Sequence, residues 1–322
     1  MTVKVLVRFE PKTLAMGTQV AKRSFIVDTL GAAEFERLAS ELSGSELQSV
    51  LLEVLRRRAR SRKPAEVLAQ FQRDGFCRPG LVDQRTSLEV DRELLAAAAA
   101  FEAIELSPLT PLASCSSFAL TDQNRVVSAL RGTEAVADPT NVLALECALR
   151  LRKAPRAPIH LATCQRVVRA QPVPNLPGYA PHFRIFVLAS GGQETKDHAF
   201  TVETLLLQIR TMLAALERLE QAGYGFGARR VEILATEARA LLGDRVAESL
   251  GALAFRKPLD HAYYSGGIRY KVWVTAPDGT ELALIDGGSF DWLTQLTSNR
   301  RAVFVASGAG AQLIPLRFRS PA

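Results

Sequence analysis

The stretch from His160 to Gly192, HLATCQRVVRAQPVPNLPGYAPHFRIFVLASGG, constrains the fold more than any other part of the chain. Two apolar runs, Ile159–Ala162 and Phe183–Ala189, flank a centre that carries Pro172, Pro174, Pro177, Gly178 and Pro181. Short apolar runs bounded by turn-forming residues read as strands, and the proline-rich centre as the long loop joining them. Arg166 and Arg169 fall at the end of the first strand and Arg184 near the start of the second, so three guanidiniums are expected to converge on one sheet face. The rigid donor fork of arginine fits phosphate and carboxylate oxygens, which makes these three a candidate anion or nucleotide site. The plainer alternative is a hairpin carrying solvated basic residues.

Around this hairpin the chain divides at about residue 80. Val3–Phe9 alternates as a strand, and residues 24–28 read as a second one. A helical pattern then runs from Ala32 past Leu55, and another follows Pro64 to about Arg73, giving a small α+β appendage over residues 1–80. Residues 81–322 form the main unit. Ser87–Phe101 is predicted helical with Ser87 as N-cap, followed by the proline-bearing strand Ile104–Leu112. Phe118–Leu130 reads as two strands around a turn at Asp122–Asn124. Asp138 caps a helix that opens on Pro139 and ends near Arg152. After the hairpin come a long helix over Phe200–Ala222, a strand at Val231–Ala235 and short helices to Leu253. The last third returns to strands at Tyr263–Tyr264, Tyr270–Thr275, Glu281–Ile285 and Ala302–Ala306. A short helix is expected at Phe290–Leu296, and the turn Pro277–Asp278–Gly279 marks an antiparallel corner. Hairpin connections dominate, so the fold class is α+β, a mainly antiparallel sheet flanked by helices.

Composition bounds the rest. With 322 residues, 48% of them hydrophobic, the chain can bury a large core. No apolar run approaches the roughly 18 residues of a membrane span, and the start MTVKVLVRFEPK lacks a signal-peptide core, so no membrane and a cytoplasmic location are expected. Cys77, Cys115, Cys147 and Cys164 have neither CxxC spacing nor histidines at ligand distance, so reduced thiols and no metal site are expected. The net charge of +7 is concentrated in RRRARSRK at Arg56–Lys63, which either contacts RNA or forms a solvated helix end.

Several short motifs, taken in order, resemble the catalytic domain of class II aminoacyl-tRNA synthetases, and within them histidyl-tRNA synthetase and its paralogue, the regulatory subunit of ATP phosphoribosyltransferase. Glu105–Leu112 is similar to the first motif of the family, CQRVVRA at Cys164–Ala170 to the second, and LDHAYYSG at Leu259–Gly266 to the histidyl signature LDYYTG. DGGSFDWL at Asp286–Leu293 is similar to GGRYDxL, and Ala302–Leu313 lies where the third motif is expected. The resemblance covers residues 87–318. It implies a homodimer contact through the helix and strand at 87–112, and a site binding ATP with magnesium.

It also assigns roles by position. Arg166 falls on the arginine that grips the α-phosphate of ATP, with Arg169 or Arg184 assisting. Tyr263, Tyr264, Arg256 and Asp286 fall around the substrate pocket, and Gln312 stands where an arginine would meet the γ-phosphate. The departures are specific. Val168 replaces a glutamate, Gln312 has no charge, Ser289 replaces the arginine of GGRYD, and Val187 and Ala189 stand where polar side chains face the substrate. Removing one fixed donor to a developing charge typically costs about 2.7–4 kcal/mol of transition-state stabilisation, so two or three losses leave little adenylation. So few residues follow the third motif that no anticodon-binding domain is expected.

Three functions are compatible with these residues. The first is a divergent paralogue that binds an amino-acid-like or nucleotide ligand and acts by binding or regulation rather than in translation. The second is ATP-dependent activation of a carboxylate with transfer to a non-tRNA acceptor, which needs Arg269, Lys271, Arg317 or Arg319 to supply the cation missing at Gln312. The third is RNA binding through Arg56–Lys63.

Overall fold

A computed structural model describes residues 25–319 except 175 and 177; the strand expected at Val3–Phe9 lies outside the described residues. The hairpin is present and longer than the apolar runs alone suggest. β5 (Ile159–Val168) and β6 (His182–Gln193) pair antiparallel, with Leu161 opposite Ala189 and Arg166 opposite Arg184. β11 (Ala302–Ala309), β10 (Glu281–Phe290), β9 (Ile268–Thr275) and β7 (Arg229–Ala235) continue the antiparallel ladder. β1 (Glu102–Ala103) and β8 (Ala254–Pro258) add parallel edges, giving the order β1-β5-β6-β11-β10-β9-β7-β8. A separate small sheet orders β2 (Leu109–Pro111), β4 (Thr133–Ala135) and β3 (Ser128–Ala129).

Strand alternation divides the side chains between two apolar layers. On one face Ala162, Phe186, Leu188, Ile268, Tyr270, Val272 and Val305 pack under α5 (Gln84–Ala97) and α7 (Ala199–Gln221). On the other, Leu161, Val187, Ala189, Phe304 and Ala306 pack under α6 (Pro139–Lys153) and α9 (Trp292–Thr297). The close approach of α6 and α9 explains Gly191, because a Cβ there would stand 2.9 Å from Leu293 Cδ1 and 3.0 Å from Cys147 Cβ. The stretch Lys196–Gln221 is long and apolar enough to cross a bilayer, which inspection for unbroken apolar runs does not reveal. Its apolar stripe is spent on the core, with Leu205, Ile209, Met212, Leu216 and Leu219 all buried.

The elements differ from the sequence expectation where local signals compete. Residues 25–30 form a helix, α1, rather than a strand, and the helix expected from Ala32 onward is broken into α2 (Ala32–Glu36), a π-helical turn (Arg37–Glu41) and α3 (Gly44–Ser61). Ser43 restarts the chain there: its hydroxyl accepts the Glu46 N–H while the Glu46 carboxylate accepts the Ser43 N–H, a reciprocal capping box. α4 (Pro64–Arg73) comes next. The described part of the appendage is therefore helical, and none of its residues is buried; Val90 is the first buried residue of the described chain. α5 starts on Asp83, whose carboxylate accepts the Thr86 N–H at 3.0 Å, four residues before the expected Ser87. Tyr263–Tyr264 lie in a turn and not in a strand, whereas β10 runs through Asp286-Gly287-Gly288 to Phe290 and the expected short helix follows from Trp292. α8 (Ala240–Leu250) crosses between β7 and β8, and α10 (Leu313–Arg317) comes after β11.

Candidate functional site

The three hairpin arginines do not converge, and the reason is the two-residue period of a strand. Arg166 and Arg169 are three residues apart, so they project to opposite faces, and Arg184 shares the face of Arg166 because the two are paired across the ladder. Arg184 forms an ion pair with Asp91 of α5, which is 5% exposed. Arg166 Nη1 lies 3.0 Å from His182 Nδ1, while His182 Nε2 reaches the Arg78 carbonyl at 2.7 Å. A Cβ on Gly80 would stand 3.0 Å from two Arg166 guanidinium nitrogens, so the connection to α5 passes directly over this side chain. Burial, and then the neighbouring Arg184, hold the Arg166 pKa below the ordinary arginine value. Arg166 and Arg184 thus anchor α5 and the segment before it against the hairpin.

The opposite face brings together Asp138, Arg169, Tyr263, Tyr264, Arg269 and Asp286. Asp138, the N-cap of α6, accepts the Thr140 N–H at 3.0 Å through Oδ1 and the Tyr263 hydroxyl at 3.2 Å through Oδ2. Arg169 stands beside it, donating from Nε to the Ala137 carbonyl at 2.9 Å with its guanidinium over the Phe183 ring. Beneath them Glu134, fully buried, accepts the backbone N–H groups of Ala113 and Cys115 and the Gln123 amide, which fixes the loop that walls this end. The Tyr263 and Tyr264 rings meet edge-to-face at 5.4 Å, and the Tyr264 hydroxyl donates to Asp286 Oδ1 at 2.7 Å. Arg269 donates from Nε to Asp286 at 2.9 Å, pairs again through Nη2, and lies 4.7 Å over the Tyr264 ring. Phe290, Trp292 and Phe304 stack behind the tyrosines.

Electrostatics makes this face nearly self-neutralised. Burial first, and the adjacent carboxylates second, raise both phenols well above the usual tyrosine range, so Tyr263 and Tyr264 act as hydrogen-bond donors and not as bases. Burial opposes the charge on Arg269, but its bonds to Asp286 prevail and strengthen it. Glu232, 2% exposed, is met by Lys257 at 2.6 Å, Trp273 Nε1 at 2.9 Å and Lys271 at 3.9 Å. Burial is likewise the largest cause raising the Cys115 thiol, so it is a poor nucleophile. Among the described residues no three of His, Cys, Asp and Glu gather as a metal-binding group.

The remaining expected residues lie elsewhere. Arg256 points to the side of α8, donating to Asp244 at 2.9 Å and to the Ala240 carbonyl at 3.2 Å, while its neighbour Lys257 takes the opposite side and meets Glu232. The side chain of Gln312 is buried and neither of its polar atoms is hydrogen-bonded. Of the cations named above as substitutes for a γ-phosphate arginine, Arg269 and Lys271 are matched by Asp286 and Glu232, and Arg317 pairs with Asp278 at 3.2 Å. These residues do not fit an ATP–magnesium grip of the kind the sequence resemblance implies. The basic cluster Arg56–Lys63 closes α3 on the surface, with Arg56 and Arg57 both held by Glu53. Asp138 read as a helix cap alone; the local signal is the same whether or not a tyrosine and an arginine arrive from distant elements.

No family model and no curated protein matches the sequence. Solved structures do resemble the fold. The apo histidyl-tRNA synthetase of S. aureus superposes with a TM-score of 0.54 at 12% identity, covering 76% of this chain and 68% of that one. An ATP phosphoribosyltransferase regulatory subunit/histidyl-tRNA synthetase from Bacillus halodurans C gives 0.55 at 16% identity, over 74% of this chain and 81% of that one. The threonyl-tRNA synthetase structure from Cryptosporidium parvum Iowa II gives 0.56 at 11% identity, over 71% and 63%. The fold is that of class II synthetase-like proteins, and it is shared by members of different amino acid specificity.

Proposed function

We propose that this class II synthetase-like core is a divergent histidyl-tRNA synthetase-like paralogue that binds a small zwitterionic, amino-acid-like ligand and acts through that binding. The observation that supports it most is the placement of Asp138 and Arg169 around Tyr263: the carboxylate accepts the phenol and the guanidinium donates to the adjoining Ala137 carbonyl. A carboxylate suits an ammonium group and a guanidinium suits a carboxylate, so the two together select a zwitterion over a polyphosphate. Val187 and Ala189, with Ile185 packed against them, belong to the apolar layer under α6 and α9 and offer no polar partner to a triphosphate. Nucleotide binding is disfavoured on the same ground, because Arg166 and Arg184 face α5. In this reading self-association runs through residues 87–112, where Leu88, Leu109 and Leu112 are exposed.

Thermal-shift measurement against the twenty amino acids, AMP and ATP tests the proposal. At a hundred times its dissociation constant a ligand adds about 2.7 kcal/mol of stability. One amino acid alone should raise Tm. Arg169→Ala and Asp138→Asn should abolish the response, while Arg166→Ala leaves it intact. Pyrophosphate exchange dependent on ATP and an amino acid would overturn the proposal in favour of carboxylate activation.

A further inference from the structure

The helical segment before the core holds an apolar surface that the rest of the described chain does not cover. On α3, Val50, Val54 and Leu55 are 43%, 46% and 50% exposed, and Leu51 is 38% exposed. At 3.6 residues per turn these residues and Leu47 fall within an arc of about 140°. Arg58 continues the same stripe one turn later, whereas Glu46 and Arg57 lie together along one of its flanks.

This charge pattern distinguishes the partners. A parallel copy of α3 would bring Arg58 against Arg58 and leave Glu46 without an opposite. An acidic or nucleic-acid partner would match Arg56–Lys63 but would meet Glu46 at the other end of the helix. An antiparallel second copy satisfies both ends at once. About a two-fold axis at Leu51, Leu47 meets Leu55 of the second copy, and Glu46 meets the Arg57 that shares its flank, twice by symmetry. We infer that α3 is a self-association element, pairing antiparallel with α3 of a second copy of this chain through Leu47, Leu51 and Leu55. This is independent of the ligand proposed above and adds a contact outside residues 87–112.

Cysteine cross-linking of the full chain tests it, in a Cys77→Ser background because Cys77 is exposed. With diamide as oxidant, Leu51→Cys should give a covalent dimer, and Ser49→Cys on the opposite side of the helix should give at least tenfold less. Adding Val54→Glu to Leu51→Cys should reduce the cross-link at least tenfold with the helix content by circular dichroism unchanged. Arg57→Glu should weaken it several-fold at low salt and less at high salt. Equal yields from Leu51→Cys and Ser49→Cys, or a yield insensitive to Val54→Glu, would overturn the inference. So would a chain that gives no Leu51→Cys cross-link yet shifts RNA or binds anionic vesicles through α3.

Discussion

At the scale of single residues, charge placement is governed by pairing. Asp286 holds Arg269, whose side chain is 7% exposed, so Asp286→Ala strands a guanidinium in a poorly solvated position. About 2–3 kcal/mol of stability should be lost, measured by urea denaturation, with Asp286→Asn intermediate because an amide still accepts one hydrogen bond. His160 supplies a pH dependence. Burial lowers its pKa from the ordinary 6.5, and its Nδ1 lies 2.9 Å from the Ser190 hydroxyl. The unfolded chain then binds the proton more readily than the folded one, so the contribution of neutral His160 is full above pH 6.5 and declines as pH falls below it. Unfolding free energy measured from pH 5 to 7 should therefore rise with pH, and His160→Gln should flatten part of that rise. Arg166 and Arg169 illustrate what was legible at this scale. Their identities suggested an anion site, but their spacing of three on a strand already meant opposite faces, and only Arg169 shares a face with Tyr263.

Among the elements, α5 and α7 hold one side of the sheet and α6 and α9 the other. Leu94 of α5 is 1% exposed inside the larger apolar layer, so Leu94→Ala should cost about 2–5 kcal/mol by removing contacts and leaving a cavity. Thermal denaturation checks this, and Arg85→Ala on the exposed side of the same helix should change little. The central strands, α6 with its Asp138 cap and the long α7 were legible because each carries a sustained period or a local capping signal. The errors fall where those signals are absent or shared. Tyr263–Tyr264 has strand composition, yet the chain turns there so that both rings can fill the space behind Phe290. Asp286-Gly287-Gly288 is paired on both sides in the ladder, and the glycines are required there because their neighbours leave no room for a side chain; a Cβ on Gly288 would lie 2.4 Å from the Ile268 carbonyl oxygen.

For the whole molecule, the contrast between an uncovered helical segment and a deeply packed core yields a further prediction. None of residues 25–82 is buried, so they contribute little to the stability of the sheet and its covering helices. Limited trypsin digestion should cut first at Arg56–Lys63 and leave a core fragment whose Tm stays within a few degrees of the intact chain. The sequence by itself determined the fold class, the antiparallel hairpin at its centre, the capped helix at Asp138 and the order of short motifs, since each rests on periodicity or on contacts between near neighbours. Only the tertiary structure decided which arginines share a face with the tyrosines and which carboxylate each cation meets. Those pairings join Asp138 to Tyr263 and Arg184 to Asp91 across long stretches of chain, and local sequence holds no record of a distance that packing sets.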